Sequence, residues 1–257
     1  MPRAVGNSYK SLAQRARVIT EAWAGQNLFC PCCMAERILP SPPNTRAVDF
    51  WCGSCSERFQ LKAKSSAIVN KVVDGAYTTM LAALRSDVAP SLFLLRYNLL
   101  SWNVVDLLLV PHFALSPSSL ERRRPLSATA RRAGWVGCFI VLSNIPLDAR
   151  IPMVQGGVPL SSACVRQRFN RLRPLKEIDA ADRGWTLDVL NVVRGLRKVD
   201  FENGDVYAES RKIESLHPDN RHIRDKIRQQ LQFLRDAGFI EHVERGRWRV
   251  RETIGAS

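Results

Sequence analysis

Two groups of residues in this chain have types and spacing that can do chemistry. The first is a pair of CxxC knuckles, Cys30-Pro31-Cys32-Cys33 and Cys52-Gly53-Ser54-Cys55, with eighteen residues between Cys33 and Cys52. Four thiolates so spaced suit a tetrahedral zinc ion. An iron–sulfur cluster takes the same ligand set, and the spare thiol of Cys32 leaves a second register open. A dithiol redox centre would need only one knuckle. With four protein ligands no position is left for substrate, so the expected zinc is structural. The second group is Asp49 and, after ten residues, Gln60-Leu61-Lys62. A carboxylate, an amide oxygen and an ammonium brought together can hold Mg²⁺ and stabilise a phosphodiester under attack by water. Taken alone this is a common string, so its meaning depends on the elements that position it.

Ala47 to Trp51 and Glu57 to Lys62 read as short strands joined by the second cysteine turn. Strand alternation puts Gln60 and Lys62 on one face and Glu57, Phe59 and Leu61 on the other, which makes Glu57 a poor substitute ligand. Leu12, Ala16, Ile19 and Trp23 recur at helical spacing, predicting a helix over Ser8 to Trp23 with Asn7 or Ser8 as N-cap. Asp74 to Arg85 and Ser161 to Leu172 also read as helices, and 91–97, 104–110 and 135–142 as buried strands. The first part is thus mixed α/β.

Arg173 to Asp182, with Pro174 and little apolar content, is the expected linker, dividing the chain into 1–182 and 183–257. Beyond it come a helix over Trp185 to Leu196, a second within Phe201 to Ser210, and a strongly amphipathic third over Asp219 to Ala237 capped by Gly238. A hairpin of Phe239 to Val243 and Arg247 to Val250 completes a winged helix-turn-helix pattern. On the third helix Ile223, Ile227, Leu231 and Leu234 share a stripe. Arg221, Arg224, Asp225, Arg228, Gln229 and Gln232 lie off it. Arg and Gln there suit guanine and adenine edges in a major groove, and Arg245, Arg247 and Arg249 on the wing suit phosphates.

The formal charge of +14 points to a polyanionic partner, nucleic acid before membrane. Through Asp182, 23 Lys and Arg stand against 12 Asp and Glu. The densest cluster, Arg122, Arg123, Arg124, Arg131 and Arg132, precedes Trp135, an aromatic suited either to a methyl-bearing base or to the core. Trp185, beside Arg183 and Gly184, has the same two readings. No signal segment or membrane span is expected, and crowded cysteines in a reducing compartment favour metal over disulfides, which predicts a cytoplasmic protein. Cys138 and Cys164 are expected to be ordinary buried thiols.

Nucleases of the PD-(D/E)xK class place an acidic residue on one strand and an acidic or Gln residue, x and Lys on the next, as Asp49 and Gln60-Leu61-Lys62 do. The chain resembles the DpnI family of methyl-directed type IIM restriction endonucleases over nearly its whole length. The resemblance is carried by RARVITEAW (15–23), CPCC (30–33), VDFWCGSCSERFQLKAK (48–64), DGAYTTM (74–80), RPLSATARRAGWVGC (124–138), RGWTLDVLN (183–191) and NRHIRDKIRQQLQFLRDAGFIE (220–241). It implies a PD-(D/E)xK domain with structural zinc followed by a small winged helix, and Mg²⁺-dependent cleavage of double-stranded DNA at GATC bearing N6-methyladenine. It also implies metal binding at Asp49, a catalytic Lys62, zinc ligands Cys30, Cys33, Cys52 and Cys55, and a methyladenine contact at Trp135. The family has Glu where this chain has Gln60. A neutral amide still offers an oxygen but forfeits a charge, so Mg²⁺ affinity should fall. Glu21, on the first helix, is either a compensating carboxylate or a surface charge.

The expectation is therefore an endonuclease, monomeric in solution, with Asp49 and Gln60 on Mg²⁺ and Lys62 beside them. Its DNA contacts would be Arg131, Arg132, Trp135, Trp185, Arg221, Arg224, Arg228, Gln229, Arg245 and Arg247. The rival is a zinc-stabilised DNA-binding regulator or methyladenine reader that lost cleavage through Gln60.

Overall fold

The computed structural model describes every residue except 43, 44, 46, 69 and 252–257. Helix α1 (Leu12–Asn27) is followed by strands β1 (Leu39–Pro40), β2 (Phe50–Trp51), β3 (Arg58–Lys64) and β4 (Lys71–Ala76). Next come α2 (Tyr77–Arg85), β5 (Ser91–Tyr97), β6 (Val104–Val110), β7 (Leu120–Arg122), β8 (Gly137–Val141), β9 (Ile151–Gln155), β10 (Val158–Pro159) and α3 (Ser162–Arg171). The larger sheet has the order β1-β2-β3-β5-β6-β9-β10, and a smaller one the order β4-β8-β7. Among the described residues of the larger sheet only β3 and β5 run parallel. Leu92, Phe93, Leu94 and Leu95 of β5 are all fully buried, as a strand covered on both faces requires. Phe59 stacks on Phe93 at 4.9 Å between centroids and ties β3 into that core.

The structure departs from the sequence reading in instructive places. Asp74 lies on a strand, and only Tyr77 to Arg85 is helical. The β-branched pair Val72 and Val73 alternates buried and exposed, and β4 pairs with β8 through Ala76. That ladder is bulged, for Asp74 faces Cys138 while Ala76 faces Gly137, which leaves Gly75 as the extra residue. The first helix starts at Leu12, with Ser11 at its N-cap position. The expected linker is ordered: 173–177 form a 3-10 turn whose Leu175 is fully buried.

The C-terminal part consists of α4 (Ala180–Gly195), β11 (Asp200–Glu202), α5 (Asn203–Ala208), α6 (Ser210–Leu216), α7 (Ile223–Asp236), β12 (Ile240–Glu244) and β13 (Arg247–Val250). A boundary at 182/183 therefore falls inside the first turn of α4. The second helix expected within Phe201 to Ser210 is α5, with β11 entering it and the short α6 following it. The third strand makes a sheet of order β11-β13-β12. Gly238 closes α7 at φ +79°, a conformation that side chains disfavour. Ile223, Ile227, Leu231 and Leu234 are buried as the periodicity requires.

Helix α4 belongs to both parts. Leu187, Val189, Leu190, Val192 and Val193 are buried in one continuous core. Its polar residues reach back: Arg194 forks Asp148 at 2.7 and 2.6 Å, Asn191 donates to the Ser143 carbonyl at 2.8 Å, and Asp188 accepts from Ser118 at 2.6 Å. The Asp148 side chain is 2% exposed. Arg194→Ala should thus cost about 3 kcal/mol, the low end for a broken buried pair, because Arg171 also acts on Asp148. Urea denaturation checks this, with Arg194→Lys expected to recover only part of the loss, since an ammonium cannot reproduce the fork. Among the described residues no helix is long and apolar enough to cross a membrane.

Candidate active site and metal centre

The four Sγ atoms of Cys30, Cys33, Cys52 and Cys55 lie within 4.8 Å of one another. Cys30 and Cys55 are 3.6 Å apart, and Cys33 and Cys52 3.5 Å. A tetrahedral zinc with Zn–S bonds of about 2.3 Å needs sulfurs at close to this separation, so the donor set fits. Cys32 is outside the cluster; its carbonyl accepts from Arg173. Burial pushes the Cys30 thiol up, and Cys55 is raised to about 12, burial again leading. Burial raises the Cys52 thiol, but the amides of Cys55 and Ser54 together with the thiols of Cys33 and Cys30 bring it down to about 7. A divalent metal would hold all four sulfurs as thiolates and offset their mutual repulsion. Backbone bonds from Cys52 to the Glu57 carbonyl (2.8 Å) and from Ser56 to the Cys52 carbonyl (2.9 Å) make the second knuckle the tip of the β2–β3 hairpin.

Asp49 lies just before β2. Its amide donates to the Phe59 carbonyl at 2.9 Å, and its Oδ2 accepts from the Leu61 amide at 2.8 Å. The backbone of β3 thereby holds the carboxylate between the positions of Gln60 and Lys62. Gln60 is half-buried, and its side-chain amide makes no hydrogen bond among the described residues. Asp49 lines a cleft of ≈ 620 Å³ and Lys62 the next one, of ≈ 670 Å³; Arg17 and Glu21 of α1 line both. Burial raises the Glu21 carboxyl, Arg17 opposing and the Asp49 charge adding to it. Glu21 also pairs with Arg17 at 3.6 Å on the same helix. A carboxylate, an amide oxygen and a second carboxylate are hard donors of the kind Mg²⁺ takes. Glu57 is engaged elsewhere. Despite its burial, His112 at 3.0 Å, Ser91 at 2.6 Å and Lys176 hold its carboxyl below the usual range.

Sequence reasoning passed over Asp74. It ion-pairs with Lys62 across the gap between the two sheets, its side chain 5% exposed against 22% for the lysine. The available signal was the acid in DGAYTTM, which reads equally well as the start of a helix.

Arg131 and Arg132 are exposed in the turn before β8, and Trp135 is half-buried with the Arg132 guanidinium 5.2 Å from its ring centre. The ring lies over Gly137, where a Cβ would come within 2.8 Å of it. Arg221, Arg224, Arg228 and Gln229 are exposed on or beside α7. On the wing Arg245 and Arg247 are exposed, Arg247 paired with Glu244 at 3.1 Å. Trp185 is engaged within the fold, stacked at 3.6 Å on His217, which takes one face of its ring. Cys138 is buried and Cys164 half-buried.

Comparison with known families gives two matches. Residues 1–178 match the family described as DpnI, Dam-replacing family, and residues 181–250 match the Dam-replacing HTH domain.

Proposed function

Because the chain belongs to the DpnI, Dam-replacing family of restriction nucleases, we propose that it cleaves double-stranded DNA at GATC sites carrying N6-methyladenine. We assign its N-terminal part, through α3, to the PD-(D/E)xK class and the part from α4 to β13 to a winged helix. The observation that carries this reading is the Asp49 carboxylate fastened to the Leu61 amide, which sets an anion between Gln60 and Lys62 beside a cleft shared with Glu21.

Asp49, with the Gln60 oxygen and Glu21, would hold Mg²⁺. That ion, when bound, neutralises charge on the scissile phosphate and acidifies the attacking water. Lys62 places an ammonium at the same site, where it stabilises charge developing on the phosphate and orients the water through its N–H groups. The exposed cations of α7 and the wing bind backbone and base edges, and Trp135 with Arg131 and Arg132 offers the nuclease part its own contact with the modified base. Arg221, Arg224, Arg228 and Gln229 would then set sequence preference.

The test is digestion of adenine-methylated and unmethylated plasmid with Mg²⁺, with fragment ends sequenced. Cutting of the methylated plasmid alone, at GATC, is expected; equal cutting of both would refute methylation dependence. Methyl-specific binding with no cutting would favour the rival reader, for which Gln60 is the specific observation. Gln60→Glu restores the missing charge and should lower the Mg²⁺ concentration for half-maximal cleavage by about tenfold, equivalent to about 1.4 kcal/mol. A Mg²⁺ titration of cleavage rate checks this.

A further inference from the structure

We propose that Asp74 is the positioning residue for Lys62, supplied by the second sheet to hold the lysine ammonium on the scissile phosphate. The proposal rests on the nuclease reading above. A lysine has a long stem with several rotatable bonds and is a poor fixed charge unless something restrains it. Among the described residues Asp74 is the only group that the Lys62 ammonium donates to, and Lys62 is the only donor to the Asp74 carboxylate. The carboxylate is far more buried than the lysine, so it is the anchor and the lysine the arm. A buried carboxylate without a partner is costly, so the pair persists in the fold.

The placement is specific. Lys62 sits on β3 of the larger sheet and Asp74 on β4 of the smaller one, beside the extra residue Gly75 of the bulge. Cys138 donates to the Gly75 carbonyl at 3.5 Å and fixes the bulge from the neighbouring strand. The charges of Asp74 and Lys62 both act on that thiol, which burial, with Asp74 adding, raises to about 11. One N–H of the ammonium goes to Asp74, and two remain for a phosphate oxygen and water. An ammonium so committed contributes as an aimed cation and not as a base. Beyond the bulge, β8 leads back to Trp135, so the strand pair that anchors Lys62 also carries the proposed base contact.

The experiment compares wild type, Asp74→Asn, Asp74→Glu, Lys62→Met and Lys62→Met/Asp74→Asn in single-turnover cleavage of methylated duplex. DNA binding is measured with Ca²⁺ in place of Mg²⁺, and folding by thermal melting. Asp74→Asn should lower kcat by about 10²-fold, the scale of a small misplacement at a reacting centre, with KM, DNA binding and melting close to wild type. Asp74→Glu should recover most of that loss, and Asp74→Asn should add nothing in the Lys62→Met background. An unchanged kcat in Asp74→Asn would overturn the proposal. So would a loss that multiplies with that of Lys62→Met, a collapse in melting that Asp74→Glu does not repair, or a rate recovered by tenfold more Mg²⁺, which would make Asp74 a metal ligand. A wild-type chain that cuts nothing overturns the nuclease reading itself, whereas cutting by wild type and Asp74→Asn alike overturns only the positioning role.

Discussion

Replacing Cys52 and Cys55 together by serine is expected to reduce cleavage to background and to lower the melting transition sharply. Structural zinc in small sites contributes about 10–16 kcal/mol to folding at neutral pH, and a domain's whole stability is about 5–15 kcal/mol. Even a fraction of the zinc contribution therefore exceeds what the remaining fold can absorb. The loss should fall first on the candidate active site, because the second knuckle is the tip joining the segment of Asp49 to the strand of Gln60 and Lys62. Without the metal, buried Cys30 and Cys52 keep only weak thiol–thiol contacts with Cys55 and Cys33 in a core that holds Phe50 and Phe59. Metal analysis, melting and plasmid digestion are read together: wild-type protein should hold one zinc per chain and lose cutting on chelation. Added Zn²⁺ should restore it and excess Mg²⁺ should not. A double variant that cuts normally would show that the knuckle does not hold the catalytic strands.

Asp49→Asn should lower the cleavage rate by on the order of 10³-fold while leaving the fold and DNA binding in place. The amide keeps an oxygen to accept from the Leu61 N–H, so the strand end stays where it is. What disappears is one negative charge in a site already short of one at Gln60. Charge stabilisation by a bound metal is worth several kcal/mol, and each 1.36 kcal/mol is a decade in rate. Glu21 cannot make up the difference, since burial already raises its carboxyl; removing Asp49 takes away one of the charges that raises it, yet leaves the site a single carboxylate. The expected signature is methyl-specific binding, measured by mobility shift with Ca²⁺, within about threefold of wild type against a cleavage rate reduced a thousandfold. Binding lost in parallel with cleavage would instead make Asp49 a DNA-positioning or structural residue.

The legible parts of the chain were those whose signals are local. Four cysteines at knuckle spacing converge as their spacing implies, and β5 and β6 occupy the apolar runs residue for residue. The stripe of α7 is buried and its opposite face exposed. Asp74 was illegible because its meaning is a contact with another sheet. An acid followed by Gly-Ala-Tyr-Thr-Thr-Met carries good helix-start chemistry, and only the pairing of β4 with β8 overrides it. The linker was misread for a similar reason. Arg173 to Asp182 is polar on average, but Leu175 is buried completely and Ile178 packs against the core. Trp185 and Trp135 read alike in sequence, each beside arginines; the fold stacks the first on His217 and sets the second against Gly137.

Helix α4 has a consequence for how such a chain can change over generations. A recognition module joined by a loose tether can be exchanged whole by a single recombination event. Here the junction runs through a wall common to both rooms, with Arg194 on Asp148, Asp188 on Ser118 and Asn191 on Ser143. A crossover at 178–180 would import a foreign helix against an unmatched surface, taking Arg194 from Asp148 and Asp188 from Ser118. On the function proposed above, new site preferences would be reached by substitution at exposed Arg224, Arg228, Gln229 and Arg245, which leaves that wall in place, and the two parts would be inherited as one unit.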